Sequence, residues 1–354
     1  MNQPRPLSVG DIVPAIGLPA PDGKIFDLAH QSVAGNATVL WLAGPSPDPA
    51  GFAALAAILP RLAALEAVAF AVVAAAPGAM PPDAVRVLFD PQNLVSPPFG
   101  LTGPGIVVYA ADRRLAAILP DGAFAAAVAV CERLFAATQP QTIRRQAPVL
   151  VLPGVIEPAL CAELIAYWER GDKKVDAVAT VDGRDYAGPG VKKRLDVVIT
   201  DPALTAKLQD RIHRRVVPEV VKAYRRRVGY LEVLRIGCYD AETGGYFRRH
   251  RDNTTPFTAH RLFAVTINLN TGQYQGGALR FPEYGRMAYA ADAGGAVVFS
   301  CALLHEALPV TEGRRFGLFT FMHDEEGEQQ ARKLIAEQRA AGVRGDQPAE
   351  IRSP

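Results

Sequence analysis

The chain has 354 residues, room for two domains of roughly 150 residues each with a core apiece, and its 49% hydrophobic and 21% charged residues are those of a globular protein, not a disordered or collagenous one. With 38 basic against 36 acidic residues the net charge is +2; nothing in bulk electrostatics favours nucleic acid or an anionic membrane, and small molecules or proteins are the expected partners. No apolar run is long enough to cross a bilayer, Met1–Asp11 lacks a signal-peptide core, and the four cysteines (Cys131, Cys161, Cys238, Cys301) stand far apart without a CxxC pair, so the expectation is a cytoplasmic protein with reduced, buried thiols rather than a zinc ribbon, a dithiol or a disulfide framework.

In chain order, APDGK at 20–24 reads as a tight turn between short extended runs. Ala37–Ala43 is a continuous apolar strand ended by the breakers Gly44 to Pro49, and Gly51–Val68 reads as a helix perturbed at Pro60. Strands are predicted at Ala69–Ala75, Arg86–Phe89, Gly105–Ala110 and Leu115–Leu119, and a second helix at Ala123–Ala137. Alternation of this kind predicts an α/β sandwich. VGDIVPAIGLPAPDGKIFDL from Val9 to Leu28, then LFDPQNLVSPPFGL and GIVVYAADRRLAAIL, resemble the peroxiredoxin version of the thioredoxin fold over about the first 137 residues. That family keeps its peroxidatic cysteine in the loop after the first central strand, which here reads GPSPDPAGF, Gly44 to Phe52. A thiolate is the nucleophile in that chemistry, so Ser46 or Asp48 cannot replace it, and Cys131 falls in the predicted terminal helix. Peroxidase activity is not expected.

Thr138 to Ala147 is polar and breaks both patterns, as a linker does. APVLVLPGVI then reads as a strand, and Ala159–Arg170 as a helix presenting Leu160, Leu164, Ile165 and Trp168 on one face. A Gly- and Asp-rich loop, Gly171–Val191, precedes one long amphipathic helix, Pro202–Tyr224, whose RIHRR and YRRR groups read as a solvated face. From Tyr230 to Met322 short strands alternate with glycine turns, which predicts a compact β-barrel or a double-sheet jelly roll. Asp324–Ala341 has helical spacing, and the tail to Pro354 is expected to fray.

The chemistry concentrates in CYDAETGGYFRRHRDNT, Cys238 to Thr255. On an extended strand residues i and i+2 share a face, so His250 and Asp252 would present an imidazole and a carboxylate to one ion while Arg251 faces away. Such a pair arises easily by chance, and its context gives it weight. Two further predicted strands, Phe263–Asn268 and Gly277–Phe281, lead to Ala296–Phe299 and then His305, placed to return a second imidazole. Two histidines and one carboxylate leave three positions open on nonhaem Fe(II), whereas a structural zinc site would need a fourth ligand, for which Cys301 is the candidate nearby. Ten residues on, Arg315 can fork onto a carboxylate; a register slip of one would exchange it with Arg314. His30, His213, His260 and His323 read as surface or satisfied polar residues, with His260 nearest the site.

His250, Asp252, His305 and Arg315 together resemble the Fe(II)- and 2-oxoglutarate-dependent oxygenases of the prolyl 4-hydroxylase-like branch, over residues 148–323. VLPGVIEPALCAELIAYWE, Val151 to Glu169, is similar to that family's supporting segment, and GGALRFP, Gly276 to Pro282, to its glycine turn and strand. The resemblance implies Tyr239 beside 2-oxoglutarate and Tyr246 as a substrate-side aromatic. Asn268 stands where the related oxygen-sensing hydroxylases carry a tyrosine that helps the arginine bind the distal carboxylate. Implied cofactors are Fe(II), 2-oxoglutarate and O2, with ascorbate allowed, and the implied reaction is hydroxylation of an unactivated C–H in a prolyl, peptidyl or small-molecule substrate with release of succinate and CO2. The implied architecture is a non-catalytic thioredoxin-like α/β sandwich at 1–140, a double-stranded β-helix with supporting helices at 148–323, and a helix and tail at 324–354. Substrate contacts are expected from the Gly171–Val191 loop, with Arg184, Asp185 and Tyr186, and from Asn253–His260. The first domain would serve as scaffold, docking module or homo-oligomer surface. The alternative is a non-catalytic binding or redox-partner protein whose metal site is vestigial or structural.

Overall fold

The protein is described as a computed structural model over residues 5–75, 84–138, 142–175 and 190–340, with the backbone of 178–179 and 185–186; side chains are described as far as residue 337. It divides into two units, Met1–Thr142 and Ile143–Pro354. None of the described helices is long and apolar enough to cross a membrane.

The first unit is a five-stranded sheet built on β1 (Ala37–Gly44), buried from Ala37 to Ala43. It pairs in parallel with β2 (Ala67–Val73), which pairs in parallel with β3 (Arg86–Phe89). On its other side β1 pairs antiparallel with β4 (Gly105–Tyr109), and β4 with β5 (Leu115–Pro120). Both faces of β1 are covered, which is why its run is apolar without alternation. Trp41 packs with Phe52, Leu55 and Leu62 of α1 (Pro49–Ala64) and with Phe124 and Val130 of α2 (Phe124–Ala136), while Leu40 and Leu42 pack with Leu18, Leu28 and Phe70. Helix α1 starts where Asp48 accepts the Ala50 N–H at 2.9 Å, and runs through Pro60. It ends at Ala64 rather than the expected Val68, because Glu66 turns into left-handed φ (51°) and Ala67 already belongs to the sheet.

The second unit has two main antiparallel sheets, beside two two-stranded ones, Val178–Ala179 with Asp185–Tyr186 and Gln275–Gly276 with Val310–Glu312. The larger runs β6 (Val149–Leu152), β14 (Ala296–Ser300), β11 (Phe263–Asn268), β16 (Arg314–His323), β9 (Arg235–Asp240) and β8 (Leu195–Val198), with Lys174–Val175 on its edge and Tyr230–Leu231 beside β16. The smaller runs β7 (Lys192–Lys193), β10 (Tyr246–His250), β15 (His305–Ala307), β12 (Leu279–Arg280) and β13 (Ala288–Tyr289). One face of the large sheet, with Ile236, Cys238, Val265, Ile267, Val298 and Leu318, packs on α3 (Pro158–Arg170) and α4 (Pro202–Arg215). Its other face, with Tyr239, Ala264, Val297 and Phe299, packs on Leu279 and Ala307 of the small sheet. The strands thus form two open sheets and not a closed barrel, and period-2 alternation sorts each residue toward the helices or toward the space between the sheets.

Three expectations are corrected here. The single helix over Pro202–Tyr224 is two, α4 and α5 (Val217–Tyr224), parted at Val216 because Pro218 has no N–H to continue the ladder. Of its basic groups, RIHRR does not form a solvated face, whereas Arg225, Arg226 and Arg227 of YRRR are exposed. Arg215 is fully buried, donating to the Val155 carbonyl at 3.1 Å and to Glu157 at 2.8 Å, and Arg211 donates to the same carboxylate at 3.0 Å. The predicted strand Gly277–Phe281 shrinks to β12 because Gly276 and Gly277 are left-handed, with φ of 77° and 68°.

Candidate metal centre

His250 ends β10 and His305 opens β15, and the two are register partners across the small sheet. Their rings lie 4.2 Å apart between centroids. Asp252 lies beyond the end of β10, in a turn held by its N–H to the Cys301 carbonyl at 3.0 Å. Strand alternation therefore does not set the His250 and Asp252 pair, as the sequence suggested; a strand end and a pinned turn do. The register shift between Phe247 and His250 puts both on the cavity side, their rings stacked at 3.5 Å.

The Asp252 oxygens lie 3.3 Å from His250 Nε2 and 3.4 Å from His305 Nε2. Each Nδ1 meets a backbone carbonyl, His250 to Arg248 at 2.7 Å and His305 to Leu303 at 3.0 Å. A carbonyl only accepts, so each Nδ1 carries its proton, and in the neutral ring Nε2 is a bare lone pair. Two lone pairs facing one carboxylate repel unless a cation sits among them. Burial drives His305 below its usual pKa, against the pull of Asp252, which favours the neutral form a ligand needs. The donor set, two nitrogens and one oxygen on one side, fits Fe(II) with open positions.

Arg315, on β16, is 2% exposed. Its Nη2 donates to Asn268 Oδ1 at 3.2 Å, while Nε and Nη1 are buried with no partner. Orphaned guanidinium donors are costly in a protein interior, and here they fit the carboxylate of a cosubstrate. Arg314 points the other way, onto Glu169 at 3.0 Å, which settles the register in favour of Arg315. Asn268 is buried, and its amide donates to Thr271 at 3.1 Å and the Ala291 carbonyl at 2.9 Å, so its oxygen is turned to Arg315; it steadies the arginine and does not line the cavity. Tyr239 does line it, 5.2 Å beneath the Arg315 guanidinium.

These groups share a cavity of about 1050 Å³ between the two sheets. Tyr246 is not among its walls; its ring lies by Lys193 and Arg248, and Phe247 takes the place expected for it. Of the expected substrate loops, Asp172, Lys174, Thr254 and Thr258 reach the cavity, whereas the Arg184 and Tyr186 side chains lie outside the described residues. Sequence reasoning missed Phe247 and the buried pair Arg194 and Asp196. The RLD spacing at 194–196, two charges on one face of an apolar strand, was the available signal.

A second cluster, Glu232, His260 and His323, also has metal-ligand composition. The lone-pair test separates it from the first. His260 Nε2 meets Glu232 at 3.0 Å and His323 Nε2 meets Glu328 at 3.1 Å, ordinary N–H to carboxylate bonds, and Arg261 forks onto both Glu232 oxygens at 2.7 and 2.8 Å. The Nε2 side of each ring is satisfied, but His260 and His323 are buried and their Nδ1 atoms have no hydrogen-bond partner, so the expectation of surface or satisfied histidines is not met in full. His30 is exposed beside Ser32, and His213 bonds the Gln209 and Gly229 carbonyls.

Residues 234–323, which include His250, Asp252, His305 and Arg315, match the family model of the 2OG-Fe(II) oxygenase superfamily. No curated protein sequence matches the chain. Among solved structures, a viral collagen prolyl hydroxylase from Paramecium bursaria Chlorella virus-1 is 14% identical over 50% of this chain and 97% of its own, with a TM-score of 0.37. A Pseudomonas putida prolyl-4-hydroxylase is 18% identical over 50% of this chain and 93% of its own, TM-score 0.37. The peroxidoxin BcpB of Mycobacterium tuberculosis is 18% identical over 36% of this chain and 97% of its own, TM-score 0.31.

Proposed function

We propose that the second unit is an Fe(II)- and 2-oxoglutarate-dependent dioxygenase that hydroxylates an unactivated C–H of a prolyl, peptidyl or small-molecule substrate. The observation that carries this is the convergence of two imidazole lone pairs on the Asp252 carboxylate, 3.3 and 3.4 Å away, in the same cavity as the orphaned donors of Arg315. His250, Asp252 and His305 would hold the iron, and Arg315, steadied by Asn268, would clamp the distal carboxylate of the cosubstrate. Bound iron supplies dioxygen activation, in which one oxygen atom enters the substrate C–H and the other enters succinate as 2-oxoglutarate loses CO2. The chain's own part is positional. Backbone carbonyls fix both imidazoles, the Cys301 carbonyl fixes the Asp252 turn, and Phe247 stacked on His250 keeps water from that face. The first unit, lacking a cysteine in its GPSPDPAGF loop, would act as a scaffold or docking module.

The test is anaerobic addition of Fe(II) and then 2-oxoglutarate, reading the visible charge-transfer band of the chelate. The band should appear in the unsubstituted chain, vanish in His305→Ala, and in Arg315→Ala need roughly 30-fold or more 2-oxoglutarate, the loss of a buried charged clamp. Iron binding without any band in the unsubstituted chain would favour the binding-protein alternative.

A further inference from the structure

The sharpest unexplained feature of the cavity wall is a buried ion pair. Arg194 lies where the chain passes from β7 in the small sheet to β8 in the large one. Its Nε and Nη2 fork onto the Asp196 oxygens, both at 2.5 Å, and the two residues are 8% and 5% exposed. The guanidinium stacks 4.1 Å from the Phe319 ring centroid. Across the sheet, Asp196 is register partner to Gly237, where a Cβ would come within 2.6 Å of Asp196 Oδ1 and 2.7 Å of Arg194 Nε. Room for the pair therefore exists only because residue 237 is glycine. A buried ion pair is weak as a source of stability, since desolvating both ions offsets much of their attraction, so its placement calls for another explanation.

The explanation is in a further contact. Arg194 Nη1 lies 3.3 Å from the Tyr239 hydroxyl. A guanidinium has donors only, so the phenol oxygen must accept, and its single proton is left to be donated elsewhere. Among the described residues no acceptor takes it. The Tyr239 ring also lies 5.2 Å from the guanidinium of Arg315, whose Nε and Nη1 are likewise without acceptors. We infer that Arg194, braced by Asp196, is a positioning residue for the cosubstrate: it fixes the polarity of the Tyr239 hydroxyl so that this group donates, alongside Arg315, to an anionic oxygen in the cavity. The inference rests on the oxygenase reading above and extends it to a pair on a different strand, outside residues 234–323.

The test is a 2-oxoglutarate titration of the chelate band, run anaerobically on the full chain loaded with Fe(II), in a cycle of variants. Arg194→Gln with Asp196→Asn replaces the ion pair by two amides, so neither member of the pair is left as a lone charge. Tyr239→Phe removes the hydroxyl. Each should raise the 2-oxoglutarate Kd about tenfold, the loss of one hydrogen bond to a charged acceptor, with Fe(II) affinity unchanged. The combined variant should be no worse than Tyr239→Phe alone, because both act through the same proton. Arg194→Lys, which keeps the charge on Asp196 but lacks the fork, should show the same rise and decides the matter if the double variant does not fold. An unchanged Kd in Arg194→Lys, or factors that multiply with Tyr239→Phe, would overturn the inference and leave the pair as structural. Absence of the band from the unsubstituted chain would instead overturn the oxygenase reading, a distinguishable failure.

Discussion

At the scale of single residues, hydrogen-bond polarity does more than composition to tell one histidine cluster from another. Both clusters contain two imidazoles and a carboxylate, but only His250 and His305 turn lone pairs toward theirs. The second cluster has a different consequence, for stability. Burial first, and the neighbouring His260, hold His323 below its ordinary pKa of 6.5, against the opposing hydrogen bond to Glu328. A base with a depressed pKa in the folded state is protonated more readily when unfolded, so its contribution is intact above pH 6.5 and is lost as pH falls from there through the folded value. Glu328 is also depressed, its bonds from His323 and Arg332 outweighing burial, but its effect begins only below its ordinary 4.5. Urea midpoints of the iron-free protein should therefore fall between pH 7.5 and 5.5, and fall less in His323→Gln. Equal pH slopes in the two proteins would show that His323 is not the group responsible.

At the scale of elements, the site is assembled by strand ends and glycine turns. Gly277, with φ of 68°, sits where a Cβ would come within 2.9 Å of both Arg315 Cδ and Val310 Cγ2. Gly244 has nearly the same φ, 66°, with nothing within 4 Å of its Cβ position. The two separate backbone strain from crowding. Gly244→Ala should cost about 1 kcal/mol of stability, the left-handed penalty alone, and leave 2-oxoglutarate binding unchanged. Gly277→Ala should cost about 2–3 kcal/mol and also weaken 2-oxoglutarate binding, because Arg315 must shift. Thermal unfolding beside the band titration checks both, and equal effects of the two substitutions would exclude crowding at Arg315. What could be read in the sequence follows the same division. The HxD spacing, His305 and Arg315 could be read because the chemistry of a ligand set limits the residue types and a family resemblance supplies their order and spacing, although a strand end and a pinned turn join His250 to Asp252. Phe247 could not, since a one-residue register shift in β10 exchanged the face of Tyr246 for that of its neighbour. Nor could the burial of Arg215, whose partners at Val155 and Glu157 lie some 60 residues away in sequence.

At the scale of the molecule, each unit carries its own apolar core, and the features proposed for catalysis lie in the second. The first unit has the five-stranded sheet and covering helices of an α/β layer but no thiol at the end of β1, where the loop holds Gly44 to Asp48. Its cysteine, Cys131, is 1% exposed on α2, and burial, with help from Glu132, pushes its pKa up to about 11. In the second unit burial likewise raises Cys161 to about 11 and Cys238 to about 12, and lifts Cys301 well above its usual value. At neutral pH so little thiolate is present that attack on a peroxide O–O bond is negligible. Peroxide consumption by the whole chain with a dithiol reductant should thus match that of Cys131→Ser, and neither should exceed the reductant alone. A truncated chain of residues 143–354 should still give the 2-oxoglutarate band, because the residues around the cavity and both of its sheets lie within that unit. If Cys131→Ser slows peroxide consumption, helix α2 opens far enough to ionise a thiol that the folded state buries. If the truncated chain folds but loses the band, the first unit contributes to cosubstrate binding, and the assignment of chemistry to the second unit alone is wrong.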